Sequence, residues 1–116
     1  MAYDQGLAAR IRKLVGGRRG LSEREMFGGL AFMRDGKMFA GVLGDELMAR
    51  VGKDAHDAWA AEAGARLMDF TGRPMRGYLF VKPAGLRGPA RLARWVEACW
   101  EHVAGLKKAA RPKRSR

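Results

Sequence analysis

The chain has 116 residues, with 23 Lys plus Arg against 12 Asp plus Glu and a net charge of +11 at neutral pH. That length suits one domain, and a hydrophobic content of 47% excludes a chain disordered throughout. The longest uncharged run, 26–33, has eight residues, far short of the ~20 apolar residues a membrane-spanning helix needs.

The lone cysteine, Cys99, excludes an internal disulfide and fits a reducing, cytoplasmic setting. The start of the chain carries Asp4 and then Arg10, Arg12 and Lys13 with no apolar core, so it does not read as a signal peptide. Chemistry-bearing residues are scarce: two serines, one threonine, one cysteine, two histidines, one glutamine and no asparagine. Covalent and acid–base catalysis draw on that short set, so the composition argues against an enzyme.

In chain order, Asp4 is the expected N-cap of a first helix, and Leu7, Ile11, Leu14 and Val15 share one face of it. Gly16 and Gly17 end that helix. The run 24–34, the Asp35-Gly36 turn and the run 37–43 read as a hairpin, since a type I′ turn needs φ > 0 at both central residues. Gly44-Asp45 turns the chain into a third strand, 46–51, completing a three-stranded antiparallel meander. Ser22-Glu-Arg-Glu25 also fits a capping box, but Gly28-Gly29 so close behind argues against a helix there.

A short helix is expected over 53–63, followed by a strand over 67–70, a loop over 71–77 held extended by Pro74, and a strand over 78–81. After Pro89 comes a last helix whose apolar stripe runs Leu92, Trp95, Val96, Cys99, Trp100, Val103 and Leu106. The expected order is α-βββ-α-ββ-α, an α+β domain over 1–106 with an antiparallel sheet packed by helices. A basic, disordered tail is expected over 107–116.

The runs 26–33 and 38–41, Asp35-Gly36, Gly44-Asp45, Arg50-Val-Gly52 and 68–75, together with the opening Met1-Ala-Tyr-Asp4, closely resemble the TfoX N-terminal domain family. That family takes its name from the TfoX (Sxy) regulator of bacterial natural competence. The resemblance covers roughly residues 1–106. It implies a fold similar to secretion-chaperone-like α+β domains and a regulatory setting in which the full regulators act with the cyclic-AMP receptor protein. It carries no catalytic residues over to this chain. Full regulators have a second, C-terminal domain, and here ten basic-rich residues follow the first.

Several residues invite a functional reading and also have a structural one. Gly28-Gly29 lacks the continuation of a phosphate-binding loop and fits a bulge or tight packing. Cys99 lies on the apolar stripe and reads as an inert thiol, and three Cys and His residues in all are too few for a structural zinc site, so no metal or other cofactor is expected. His102 follows Cys99 by three residues and reads as core or boundary packing, whereas His56 reads as solvated near a helix start. Asp45 and Glu46 point to opposite faces of a strand and make a poor acid–base pair. Ser22 has no histidine near it in sequence.

Two sets of cations remain. Arg73 and Arg76 flank Pro74 and form a possible anion clamp. Lys107, Lys108, Arg111, Lys113, Arg114 and Arg116 carry +6 with no acid, which leaves residues 1–106 with a balance of only +5. These six are the best nucleic-acid candidates, giving sequence-independent contact without any base-reading motif. The expected function is a non-enzymatic regulatory or adaptor role, related to competence or transcription, with weak nucleic-acid contact through the tail. The alternative is a protein-interaction module without nucleic acid, using Met38, Met48 or Met75 as an adaptable surface. A homodimer is plausible, and no membrane partner is expected.

Overall fold

A computed structural model describes residues 3–26, 28–67 and 77–114, with side chains described as far as 105. Helix α1 spans Gln5–Val15. Asp4 is extended, and its Oδ1 accepts hydrogen bonds from the amides of Gly6 at 2.8 Å and Leu7 at 3.2 Å. Two of the four orphan donors of the first turn are thus satisfied. Leu7, Ile11 and Val15 are buried along the expected stripe. The Asp4 amide donates to the Gly44 carbonyl at 2.8 Å, tying the start of the helix to the sheet.

Four strands follow, β1 (Leu21–Met26), β2 (Gly29–Arg34), β3 (Lys37–Leu43) and β4 (Glu46–Arg50). The Asp35-Gly36 turn has φ of 51° and 83°, so both central residues are left-handed, as the hairpin reading requires. The run 24–34, expected as one strand, divides into β1 and β2, with Met26 paired to Gly29 around Gly28 at φ 80°. Residues 22–26 of β1 are exposed, so no apolar alternation marks this edge strand in the sequence.

Helix α2 (His56–Ala60) is shorter than the expected 53–63, and β5 (Ala65–Leu67) starts two residues before the expected strand, whose residues 68–70 lie outside the described set. Strand β6 (Tyr78–Val81), a 3-10 turn (Pro83–Leu86) and α3 (Gly88–Arg114) complete the chain. The sheet order is β1-β2-β3-β4-β6-β5, antiparallel at every step. The α+β class with an antiparallel sheet packed by helices is therefore the one observed.

One sheet face carries Leu30, Phe32, Val42, Leu47, Ala49, Leu79 and Val81 against α1 and α3, with Trp95, Val96, Cys99 and Val103 of the expected stripe buried opposite. Each large side chain removed from water contributes about 1.5–3 kcal/mol. A β-bulge after Phe32 lets both Phe39 and Ala40 join this core, and the Phe39 ring meets Trp100 edge-on at 5.1 Å. Trp59 of α2 packs on Trp95 at 4.4 Å.

The other face is apolar too. Met48 and Phe80 are buried there with Met38, Leu43 and Tyr78 packed around them. The Arg66 guanidinium lies 4.6 Å above the Phe80 ring and pairs with Glu46 at 3.0 Å. The expected methionine surface is not formed as read: Met48 is only 1% exposed, Met38 is half-buried, and Met75 lies outside the described residues. Burial by cross-strand neighbours uses these side chains for packing.

Candidate functional site

Several charged and titratable groups converge at the end of β4. Val51 and Gly52 leave the strand, and both of their amides donate to the Gly77 carbonyl, at 2.9 and 3.1 Å. The Gly77 amide donates in turn to Nδ1 of His56 at 2.8 Å. His56 is only 4% exposed, which corrects the expectation that it is solvated. A residue near a helix start is buried here because its imidazole satisfies a backbone donor 21 positions away.

Gly52 and Gly77 have φ of 90° and 96°, where only glycine is free of strain. Their lack of a Cβ is also spatial. A Cβ on Gly52 would lie 2.4 Å from Cε1 and 2.6 Å from Nδ1 of His102, and one on Gly77 would lie 3.2 Å from the Gly52 carbonyl carbon. The His102 ring of α3 therefore rests directly on the backbone that leaves β4.

Above this floor is an open cavity of about 530 Å³, lined by Arg50, Lys53, Asp54, Tyr78 and His102 among the described residues. The Arg50 guanidinium sits 5.6 Å from the Tyr78 ring centroid and donates through Nη1 to the Met38 carbonyl at 3.2 Å. Burial, and then the charge of Arg50, push the His102 imidazole below its ordinary pKa, against the weaker pull of Asp54. The site carries net positive charge in a concave, partly apolar setting.

Cys99 is not part of it. Its thiol is buried and burial pushes its pKa up to about 12, so it is an unreactive core group, as its place on the apolar stripe predicts. Ser22 stands on β1 at the far edge of the sheet, and Asp45 lies in the turn before β4. Glu46 is held by Arg66. Arg73 and Arg76 lie outside the described residues, as do the side chains of the six tail cations.

Sequence reasoning missed the grouping of Arg50, Lys53 and Asp54 with His102. A signal for it is Gly52, two residues after a strand that ends on Arg50, since a glycine there marks a close approach.

Many arginines of the domain are spent on its own structure. Arg12 pairs with Glu23 at 2.8 Å, Arg18 with Glu97, and Arg94 with Glu62 at 3.2 Å. Arg10 donates to the carbonyls of Leu86 and Gly88, Arg34 to that of Trp100 and Arg91 to that of Ala84.

A family model described as the TfoX N-terminal domain matches residues 13–103. The chain belongs to the TfoX N-terminal domain family. The match runs from within α1 to the last described buried residue of α3, so it takes in the whole sheet and every residue of the cavity. The six cations of 107–116 follow the matched span. No curated protein and no solved structure matches the chain. Among the described residues, no helix is long and apolar enough to cross a membrane, and no cluster of His, Cys, Asp and Glu is arranged to hold a metal ion.

Proposed function

We propose that this TfoX N-terminal domain protein is a non-enzymatic regulatory or adaptor module, related to competence or transcription, which touches nucleic acid weakly through residues 107–116. The observation that carries the reading is the division of charge. Eight arginines of the domain (10, 12, 18, 34, 50, 66, 91 and 94) have a carboxylate or carbonyl partner, whereas the six cations of 107–116 stand in a stretch without an acid. Cations grouped in a stretch without an acid reinforce one another's attraction for a phosphate backbone, and each contact releases counterions. The use of Cys99 and His56 as core groups supports a binding role over a catalytic one.

The test is fluorescence anisotropy of labelled duplex DNA with the full-length chain across a salt series. If all six cations meet phosphates, log K falls with log salt at a slope of roughly −5. Replacing the six by glutamine in the full-length chain is expected to abolish that salt-dependent binding and leave the fold intact by circular dichroism. Unchanged binding by the glutamine variant overturns the reading.

A second reading, a protein-interaction module, is favoured by β1. It pairs with β2 only, residues 22–26 are exposed, and a sheet edge of that kind accepts an added strand. Recovery of one defined partner after nuclease treatment, lost on Arg24→Pro, distinguishes it from the first.

A further inference from the structure

The cavity at the end of β4 is not used by either reading above, and its chemistry is specific. We propose that it is a binding site for a small phosphomonoester, held by Arg50, Lys53 and His102. This inference goes beyond the adaptor reading and does not depend on it.

Three observations carry it. The first is size and shape. A cavity of about 530 Å³ lies within the ~300–1,000 Å³ typical of small-molecule sites. It is a recess between β4, β6 and α3, which suits a compact ligand better than the long, even backbone of a duplex.

The second is the set of donors. Among the described residues a guanidinium from β4, an ammonium from the turn after it and an imidazole from α3 converge with a single carboxylate, Asp54, among them. A tetrahedral phosphate has oxygens to offer in three directions, whereas a carboxylate is satisfied by one fork. Among the described residues the Arg50 side chain makes one hydrogen bond, through Nη1, and the Lys53 ammonium makes none. Donor capacity is therefore left over, and concave low-dielectric walls focus the resulting potential.

The third is construction. The His102 ring can lie on the floor only because Gly52 has no Cβ, and Gly52 is fixed there by the Gly77 carbonyl. His56, buried behind, fixes Gly77. Three residues, Gly52, Gly77 and His56, thus set the place of the His102 imidazole at the cavity. Tyr78 lies under the Arg50 guanidinium, and Val51 and Ala55 add apolar wall for the organic part of the ligand.

Among the described residues, the titratable and charged groups lining the cavity with His102 are Arg50, Lys53, Asp54 and Tyr78. Burial, and then Arg50, disfavour the imidazolium. A bound phosphate dianion adds negative charge beside the ring and reverses that balance, so ligand binding and His102 protonation are coupled.

The experiment is NMR of the full-length protein at fixed ionic strength, titrated with inorganic phosphate, glycerol phosphate, adenosine monophosphate and, as a carboxylate control, acetate. Expected are saturable amide shifts at Gly52, Gly77 and Tyr78, with Kd of ~1 mM or tighter for at least one phosphate. The His102 imidazole pKa is expected to rise when that phosphate is present. Lys53→Gln, an exposed position, is expected to weaken binding roughly tenfold without loss of fold, and Arg50→Gln by more.

Tighter binding of a phosphomonoester than of inorganic phosphate assigns the apolar wall to the organic part. Equal binding means that only the phosphate is recognised, and that overturns the phosphomonoester assignment. Absence of saturable shifts at ~10 mM of every phosphate overturns the site, as does undiminished binding by Lys53→Gln and Arg50→Gln, equal binding of acetate, or shifts confined to residues 107–116.

Discussion

At the scale of single residues, the junction of β4 and α3 depends on Gly52, Gly77, His56 and His102, and Gly44, in the turn before β4, separates backbone strain from contact. Gly44 and Gly52 both have positive φ, 60° and 90°. A Cβ on Gly44 would meet nothing within 4 Å, whereas one on Gly52 would strike the His102 ring. Gly44→Ala therefore tests backbone strain alone, with an expected cost of about 1–2 kcal/mol. Gly52→Ala adds the displacement of the imidazole and is expected to cost about 1–3 kcal/mol more in urea unfolding. In a His102→Ala background that extra cost should vanish, and a double-mutant cycle reads the coupling directly. If Gly52→Ala costs no more than Gly44→Ala, the close approach of ring and backbone is not rigid.

His56→Ala is expected to cost about 2–4 kcal/mol, because it leaves the Gly77 amide without its acceptor and opens a void. His56 was not legible as a core residue in the sequence. Nothing local distinguishes an imidazole that accepts from a distant amide from one that faces water.

At the scale of elements, legibility followed how local the determining physics is. The α1 cap and stripe and the Asp35-Gly36 turn are set by neighbours within four residues, and both are formed as read. Asp4→Ala is accordingly expected to cost about 1 kcal/mol and Asp4→Asn far less, measured by thermal unfolding. Strand β1 escaped because an edge strand exposed over 22–26 has no alternating pattern to show. The bulge at Phe39 was equally invisible, since it depends on pairing with β2 and on the Trp100 ring across the core.

Trp100 also illustrates how charge enters element packing. The Arg34 guanidinium lies 4.3 Å from its ring and donates to its carbonyl at 3.1 Å, while Arg18 approaches the same ring at 5.1 Å. One arginine from β2 and another from the loop after α1 are thereby fastened to α3. The candidate site itself was half legible: the individual cations stand in plain view, but their convergence is a product of strand order, because β6 returns beside β4 and brings Gly77 and Tyr78 with it.

At the scale of the whole molecule, the pairing of charges makes stability depend on pH in two separate windows. Arg12 and Arg18, through hydrogen bonds, hold the carboxyls of Glu23 and Glu97 below the usual carboxylate range. A carboxyl lowered on folding stabilises the native state above its unfolded value near 4.5 and loses that contribution as pH falls through the folded value. His102 is lowered as well, first by burial, so the unfolded chain takes up a proton near pH 6.5 that the folded chain refuses. Its contribution is complete above pH 6.5 and declines below it, with the same sign as the carboxyls but starting at higher pH. Because the side chains of both ion pairs stay partly open to solvent, which screens them, each is worth about 0–1 kcal/mol. Urea unfolding followed from pH 8 to pH 3 is therefore expected to show stability falling in two steps as pH drops. His102→Gln is expected to remove the upper step and leave the lower one. The double variant Glu23→Gln, Glu97→Gln is expected to do the reverse. A single step that both variants alter equally would mean that the imidazole and the surface pairs do not titrate independently, and that the positive field over this domain is shared rather than local.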